Sequence, residues 1–178
     1  MLKIILIAIP AIIVVFLIIV AMQPSSYRVT RSLAIAASPD ALFPHMNDLK
    51  KWAAWKPYRK VDPTMKVTYG GPASGVGSTY SWAGNNKVGE GRVTITESRP
   101  SESVKHKMEF FKPMSVTSET EFALKPQSHQ TEVTMTVTGE RNFMVKAFCL
   151  CMSMDKMIGG ELEKALVKLK GIAESPAK

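Results

Sequence analysis

NFMVKAFCLCMSMDKMIGGELEKALVKLKGIA, residues 142–173, has the pattern of a long amphipathic helix. Apolar residues recur along it at spacings of three and four, which is typical of a helix with one buried face. Gly159 and Gly160 interrupt the segment, and each glycine costs a helix about 1 kcal/mol relative to alanine. We therefore expect a C-terminal helix of about thirty residues, with a bend or a close approach to a neighbouring element at the glycine pair. Its apolar positions are Phe143, Ala147, Phe148, Cys151, Met154, Ile158, Leu162, Ala165, Leu166, Leu169 and Ile172.

Six short segments between Met65 and Glu140 have the composition of β-strands. Each is rich in valine, threonine, tyrosine and phenylalanine, and each is bounded by glycine, proline, asparagine or serine. Short turns such as GNNK (residues 84–87) and KPQSHQ (residues 125–130) join consecutive segments, which predicts an antiparallel meander. A further strand is predicted upstream of them, over residues 27–36.

Two short helices are expected between the first strand and the meander. Ser38 and Pro39 are typical of a helix N-terminus, and Pro44 predicts an early end to that helix. A curved antiparallel sheet needs one face covered, and the C-terminal helix is the element large enough to cover it. The sequence therefore predicts an α+β domain in which a curved antiparallel sheet of about seven strands wraps a long C-terminal helix.

YGGPASGVGSTYSWAG, residues 69–84, tests whether the chain binds nucleotides. A P-loop requires a lysine after its last glycine, and a dinucleotide-binding loop opens a helix. This stretch lacks that lysine and leads into a strand-like segment. We interpret it as a turn between two strands, in which glycine supplies positive φ angles.

The N-terminal segment, residues 4–22, contains no charged side chain. About twenty apolar residues span a bilayer as a helix, and such helices tolerate a proline like Pro10. The alternatives are a cleaved signal peptide, whose apolar region normally has about 7–15 residues, and a buried helix. We favour an uncleaved transmembrane helix with a short basic flank, which favours a domain on the non-cytoplasmic side. The predicted organisation is then an anchor and linker over residues 1–26, a folded domain over residues 27–174, and a tail over residues 175–178.

Composition indicates which other partners to expect. The net charge is +8 at pH 7, but lysine and arginine are dispersed along the chain, which is typical of an ordinary solvated surface. We therefore expect no nucleic-acid partner. Cys149 and Cys151 do not form a C-x-x-C motif, and the histidines lack metal-ligand spacing. We expect no metal and no cofactor.

Three segments together resemble a known family. They are NDLKKWAAWKPYRKVDP (residues 47–63), GPASGVGSTYSWAGNNKVGEGRVTITESRP (residues 71–100) and MDKMIGGELEKALVKLK (residues 154–170). They resemble the START-like superfamily, also called SRPBCC, and within it the polyketide cyclase/dehydrase-type bacterial branch. The resemblance extends over residues 27–173 and implies a helix-grip fold with a deep cavity between sheet and helix. Members bind lipids, sterols, polyketides or other apolar ligands, and a few are enzymes. The expected membrane is accordingly a bacterial inner membrane, crossed once.

Strand parity predicts which side chains face that cavity, because residues two apart on a strand share a face. The faces so defined are mostly apolar with a few polar groups, which is typical of small-molecule sites; the alternative is a solid core. Methionines of the C-terminal segment would form an adaptable wall. The predicted ligand-cavity residues are Trp55, Tyr80, Trp82, His106, Met108, Phe110, Ser118, Thr120, Phe122, Met135, Phe148 and Met152.

The favoured function is a membrane-tethered binding or carrier domain for a hydrophobic or amphipathic small molecule or a lipid. The first alternative is an enzyme of cyclase or dehydratase type, with His106 as the candidate general base and Tyr80 or Glu90 as its partner. The second is a protein-interaction module without a small ligand. Binding is favoured over catalysis because the sequence carries no catalytic motif.

Overall fold

The computed structural model describes residues 2–55, 62–150 and 153–175. It contains six helices and seven strands in these ranges. In chain order they are α1 (Leu2–Met22), β1 (Ser26–Ile35), α2 (Pro39–Leu42), α3 (Pro44–Asn47), α4 (Leu49–Trp55), β2 (Lys66–Gly70), β3 (Thr79–Ala83), β4 (Glu90–Arg99), β5 (Ser103–Lys112), β6 (Val116–Gln127), β7 (Gln130–Glu140), α5 (Phe143–Cys149) and α6 (Met154–Ala173).

The strands form one antiparallel sheet in the order β1-β7-β6-β5-β4-β3-β2. β2 to β7 follow one another as the predicted meander. β1 pairs with β7 along its whole length, from Ser26 opposite Glu140 to Ile35 opposite Thr131. The α+β class, the seven strands and the C-terminal helix therefore agree with the sequence prediction. Pairing of the first strand with the last brings both ends of the domain to the same edge of the sheet.

The two faces of the sheet differ in polarity. On the core face, side chains such as Val29, Ile95 and Phe122 are buried. On the outer face, hydroxyl groups pair across strands, with Thr30 and Thr136 joined at 3.1 Å between their Oγ1 atoms. This alternation follows from the two-residue period of a strand, and it assigns every strand residue to one face.

Helix α6 packs on β1 of the core face, at the glycine pair noted in the sequence. A Cβ atom on Gly159 would lie 2.1 Å from Nη2 of Arg31, so the glycine makes room for the arginine. Arg31 donates to Asp155 through two hydrogen bonds of 2.9 Å and to Glu163 through one of 2.6 Å. Gly159 therefore marks a close approach to the sheet, and the glycine pair does not end the helix.

The prediction of one helix over residues 142–173 is wrong. The chain forms two helices, α5 and α6, and Ser153 between them has the extended backbone of an N-cap residue, with φ −71° and ψ 129°. Asn142 caps α5, since its Oδ1 accepts a hydrogen bond from the Val145 amide at 2.9 Å. Serine favours a helix start over a helix interior, and the apolar period hid that signal by continuing across the break. Cys151 lies outside the described residues.

Short helices fill one end of the core face. Ser38 caps α2, and Pro44 stands at the first position of α3, so the predicted break at this proline is confirmed. Helix α4 follows and carries Trp52 and Trp55, both 1% exposed. The Trp55 indole donates a hydrogen bond of 3.1 Å from Nε1 to the backbone oxygen of His45.

Helix α1 corrects the membrane predictions. Its side chains are described from residue 9 onward, and among the residues described no helix has both the length and the apolar character needed to cross a membrane. The predicted transmembrane helix is therefore wrong, as are the membrane contact through residues 4–22 and the single-pass, non-cytoplasmic location that depended on it.

The glycine-rich loop is a turn, as predicted. It joins β2 to β3, and Gly71, Gly75 and Gly77 have φ angles of 72°, 80° and 86°. Residues other than glycine rarely adopt such φ angles. The amide of Gly75 donates to the backbone oxygen of Asn47 at 2.9 Å, so the loop is held against α3.

Candidate functional site

The sequence-predicted cavity residues lie mostly on the core face of the sheet. Phe110 is half-buried there, Phe148 on α5 is 53% exposed, and Met152 lies outside the described residues. Phe148 lies on α5, which is a separate helix from α6. The buried ones are Trp55, Tyr80, Trp82, His106, Met108, Ser118, Thr120, Phe122 and Met135.

An aromatic cluster, which we define as Trp52, Trp55, Tyr80, His106 and Phe122, fills the part of the core face beneath α4. The ring centroids of Trp55 and Phe122 are 5.9 Å apart, and those of His106 and Phe122 are 5.1 Å apart. Trp52 and Tyr80 meet at 5.8 Å. These rings meet edge to face, a favourable geometry for aromatic pairs. Side chains of the protein itself therefore occupy this part of the predicted cavity.

The candidate catalytic residue, His106, is enclosed in this cluster. It is 0% exposed, and its Nε2 lies 2.8 Å from the backbone oxygen of Met46. This contact joins β5 to α3. A general base must come within hydrogen-bond reach of the proton that it removes, and the packing around His106 leaves a substrate no approach in this arrangement.

Glu90, the other acid/base candidate, lies on the outer face. Its carboxylate accepts a hydrogen bond from Lys112 at 2.8 Å, and its same-face neighbour Arg92 donates to the Ser81 hydroxyl at 3.3 Å. Gly91 between them points to the core, where an added Cβ would lie 2.4 Å from the Trp82 ring. The glycine thus marks close packing, and the structure separates Glu90 from His106 and Tyr80.

A cleft of about 930 Å³ opens where β1, β6 and β7 meet α5. Small-molecule sites have volumes of about 300–1,000 Å³. Residues of both faces of the sheet line it, and those of the polar outer face include Arg28, Lys107, Thr117, Glu119 and Thr138. Of the sequence-predicted cavity residues, Ser118 lines this cleft. Its other core-face and connecting residues are Tyr27, Gly139, Arg141, Asn142 and Val145.

Tyr27 forms the floor of the cleft because Gly139 makes room for its ring. The two residues are directly opposite on β1 and β7, and a Cβ on Gly139 would lie 2.6 Å from the Tyr27 hydroxyl oxygen. Burial raises the pKa of Tyr27, while its hydrogen bond with the Ser118 side chain and the nearby charge of Arg141 act in the opposite direction. The phenol therefore remains protonated at neutral pH and serves as a neutral polar group.

Arg141 stands at the polar end of the cleft, between β7 and α5. Its guanidinium carbon lies 5.8 Å from the centre of the Tyr27 ring, within the range of a cation–π contact. Its backbone amide donates to Ser25 at 2.8 Å. Its Nε is buried and has no hydrogen-bond partner among the described residues. A buried nitrogen of this kind calls for an acceptor that the described chain does not supply.

Helix α5 makes the neighbouring surface apolar. Its first turn contributes Val145 to the cleft, and it exposes Phe143, Met144 and Phe148 by 47%, 67% and 53%. Met114, in the connection between β5 and β6, is 53% exposed as well. A cleft with Arg141 at one end and an apolar surface beside it suits an amphipathic molecule.

Sequence reasoning missed Tyr27, Gly139 and Arg141 as site residues. Tyr27 was placed on the predicted first strand but was not linked to the last strand. The usable signal was Gly139, because a glycine inside a strand marks a close approach of another group. Arg141 carried no signal, since its importance depends on the turn between β7 and α5.

The comparisons with known proteins concern the folded part of the chain. The family described as polyketide cyclase/dehydrase and lipid transport matches residues 26–174. No curated protein matches the chain.

Solved structures share the fold at low sequence identity. Aha1 from Colwellia psychrerythraea, solved as a dimer in solution, is 19% identical, with a TM-score of 0.59 over 85% of this chain and 99% of that one. Protein MLL2253 from Mesorhizobium loti is 14% identical, with a TM-score of 0.62 over 85% and 100%. Ginseng major latex-like protein 151 from Panax ginseng is 10% identical, with a TM-score of 0.60 over 85% and 100%. At these identities the likeness concerns the fold alone.

Proposed function

The chain belongs to the polyketide cyclase/dehydrase and lipid transport family, and from this we propose that it is a binding or carrier domain for a hydrophobic or amphipathic small molecule or a lipid. Residues 27–174 form the functional unit. The bound molecule lies in the cleft between β1, β6, β7 and α5. The observation that carries this proposal is the cleft of about 930 Å³, whose mostly polar lining adjoins the exposed apolar side chains of α5.

The position of the cleft differs from the one that the sequence suggested. The aromatic cluster occupies the core face beneath α4, with rings such as Trp55 and Phe122 in contact. At the α5 end, Tyr27, Ser118 and Gly139 line the cleft. A ligand that enters beside α5 needs no rearrangement of the buried aromatic rings, which supports binding at this end.

The enzyme alternative gains no support from the residues described. His106 is fully buried and held by Met46, and Glu90 lies on the outer face beside Lys112. The protein-interaction alternative has the exposed apolar residues of α5 in its favour. It predicts binding of a partner segment on α5 without occupancy of the cleft, so it can be separated by experiment.

Binding can be tested with a pyrene-labelled fatty acid and two matched variants of the full chain. Val145 lines the cleft, and Val145→Trp should abolish saturable binding because the indole fills the space. Val167 on α6 is 61% exposed, so Val167→Trp should leave binding unchanged. Native mass spectrometry of the purified protein should show a bound apolar molecule in the wild type and not in Val145→Trp.

Two outcomes would overturn the proposal. The first is an absence of probe binding together with an absence of any co-purified molecule in the wild type. The second is equal binding by wild type and a folded Val145→Trp variant, because the probe would then lie elsewhere, for example on the exposed face of α5.

A further inference from the structure

The end of β7 carries a charged side chain that the described chain leaves incompletely satisfied. Arg141 Nε is buried and has no hydrogen-bond partner among the residues described. Leaving a buried charged donor without an acceptor is expensive in free energy. The residue as a whole is half-buried and lines a cleft large enough for a small molecule, so a bound molecule can pair with its guanidinium.

The described residues around Arg141 supply no acceptor to its Nε. Glu119 and Glu140 also line the cleft, but neither forms a salt bridge with Arg141 within the described ranges. Lys107, another cation of the lining, is paired with Glu109 at 2.8 Å. Arg28 adds one more positive charge. The Tyr27 ring lies 5.8 Å from the guanidinium carbon.

We infer that the cleft takes an amphipathic anion, whose carboxylate or phosphate oxygens accept hydrogen bonds from the Arg141 guanidinium while its apolar body lies along Val145 and α5. This inference rests on the proposed binding function and names the class of ligand. A guanidinium suits an oxyanion because its planar N–H groups match carboxylate and phosphate oxygens. The exposed apolar side chains of α5, such as Met144 and Phe148, lie on the side where the apolar body would leave the cleft.

The test compares molecules that differ in the head group alone. Isothermal titration calorimetry on the full chain would use dodecanoate, the uncharged alcohol dodecanol, dodecyl phosphate and inorganic phosphate. Wild type should bind dodecanoate and dodecyl phosphate at least about tenfold more tightly than dodecanol, as expected for a hydrogen bond to a charged group. Inorganic phosphate should bind far more weakly than dodecyl phosphate, because it lacks the apolar body.

Variants then assign the preference to Arg141. Arg141→Gln should reduce the ratio of dodecanoate to dodecanol affinity to about one, chiefly by weakening dodecanoate binding. Arg92→Gln is the matched control, because Arg92 lies on the outer face and contacts Ser81; it should keep the ratio. Arg141→Lys should keep part of it, since the charge remains without the planar donors. Circular dichroism spectra establish that each variant folds.

The outcomes distinguish this inference from the function on which it rests. If no member of the series binds to wild type, the proposed function fails. If wild type binds dodecanol and dodecanoate equally, the inference fails while the binding function stands. This comparison uses wild type alone, so the inference can be contradicted even if Arg141→Gln does not fold. A preserved ratio in folded Arg141→Gln also overturns it. Inorganic phosphate binding as tightly as dodecyl phosphate would indicate a site for a free oxyanion and would contradict the amphipathic ligand.

Discussion

Beneath α4, the core face of the sheet is filled by Trp52 and Trp55, which pack on Phe122 and His106. Beside α5, the same face carries Gly139 and Ser118, which line a cleft of about 930 Å³ together with Tyr27 and residues of the outer face. Both ends belong to the same strands and the same face. The two ends differ in the size of the side chains that the paired strands place on this face.

Strand register explains the difference. In one cross-strand row, Tyr27 is opposite Gly139, which is opposite Ser118. Four positions further along the strands, Met135 is opposite Phe122. Because side chains two and four apart share a face, a strand can present small residues at one end and large ones at the other. Rigidity at the filled end and space at the cleft end can therefore be altered separately by substitution.

The largest effect is expected from Trp55→Ala at the filled end. Trp55 is 1% exposed and contacts both Trp52 and Phe122, so truncation leaves a cavity and should lower the free energy of unfolding by about 3–5 kcal/mol. Urea denaturation followed by tryptophan fluorescence measures it. Trp55→Phe should lose less, because it retains a ring in the same space.

Phe148→Ala on α5 is the control for this prediction. Phe148 is 53% exposed, and its truncation should change the free energy of unfolding by no more than about 0.5 kcal/mol. Similar losses for Trp55→Ala and Phe148→Ala would contradict the distinction between a filled end and an open end.

An intermediate effect is expected from Gly139→Ala at the cleft end. The new Cβ would lie 2.6 Å from the Tyr27 hydroxyl oxygen, so the Tyr27 ring must move into the cleft. Forced repacking of this kind lowers the free energy of unfolding by about 1–3 kcal/mol. Unlike Trp55→Ala, the variant should also weaken binding of the pyrene-labelled fatty acid.

Paired measurements of unfolding and probe binding check this prediction. The double variant Gly139→Ala/Tyr27→Ala removes the ring that clashes, so the alanine at position 139 should cost less in that background. An equal cost in both backgrounds would show that Tyr27 is not what occupies the space at Gly139.

Much of the fold could be predicted from the sequence because it follows from short-range patterns. The turn at Gly71, Gly75 and Gly77 was recognisable from residue types alone, and positive φ angles are found there. Pro44 similarly identified a helix boundary. In both cases a single residue type restricts the backbone locally, whatever the rest of the chain does.

The cleft could not be predicted in the same way, because it depends on contacts distant in sequence. Tyr27 meets Gly139 only through pairing of the first strand with the last, and parity alone cannot show that Trp55 fills the space over Phe122. The break at Ser153 also escaped, since apolar residues continue through it. Arg141 lines the cleft from the connection between β7 and α5, where no pattern in the sequence identifies it.

The smallest effect on the free energy of unfolding is expected from substitutions where α6 contacts β1. Gly160 has open space around its Cα, since a Cβ there meets nothing within 4 Å, whereas a Cβ on Gly159 would lie 2.1 Å from Arg31 Nη2. Gly160→Ala should therefore raise the free energy of unfolding by about 1 kcal/mol through helix propensity. Gly159→Ala should lose that gain, because Arg31 must leave its ion pairs with Asp155 and Glu163. In an Arg31→Ala background the clash is gone, so Gly159→Ala should stabilise about as much as Gly160→Ala.

Urea denaturation of the four variants measures this, and equal effects of the two glycine substitutions in the wild-type background would show that Gly159 does not make room for Arg31.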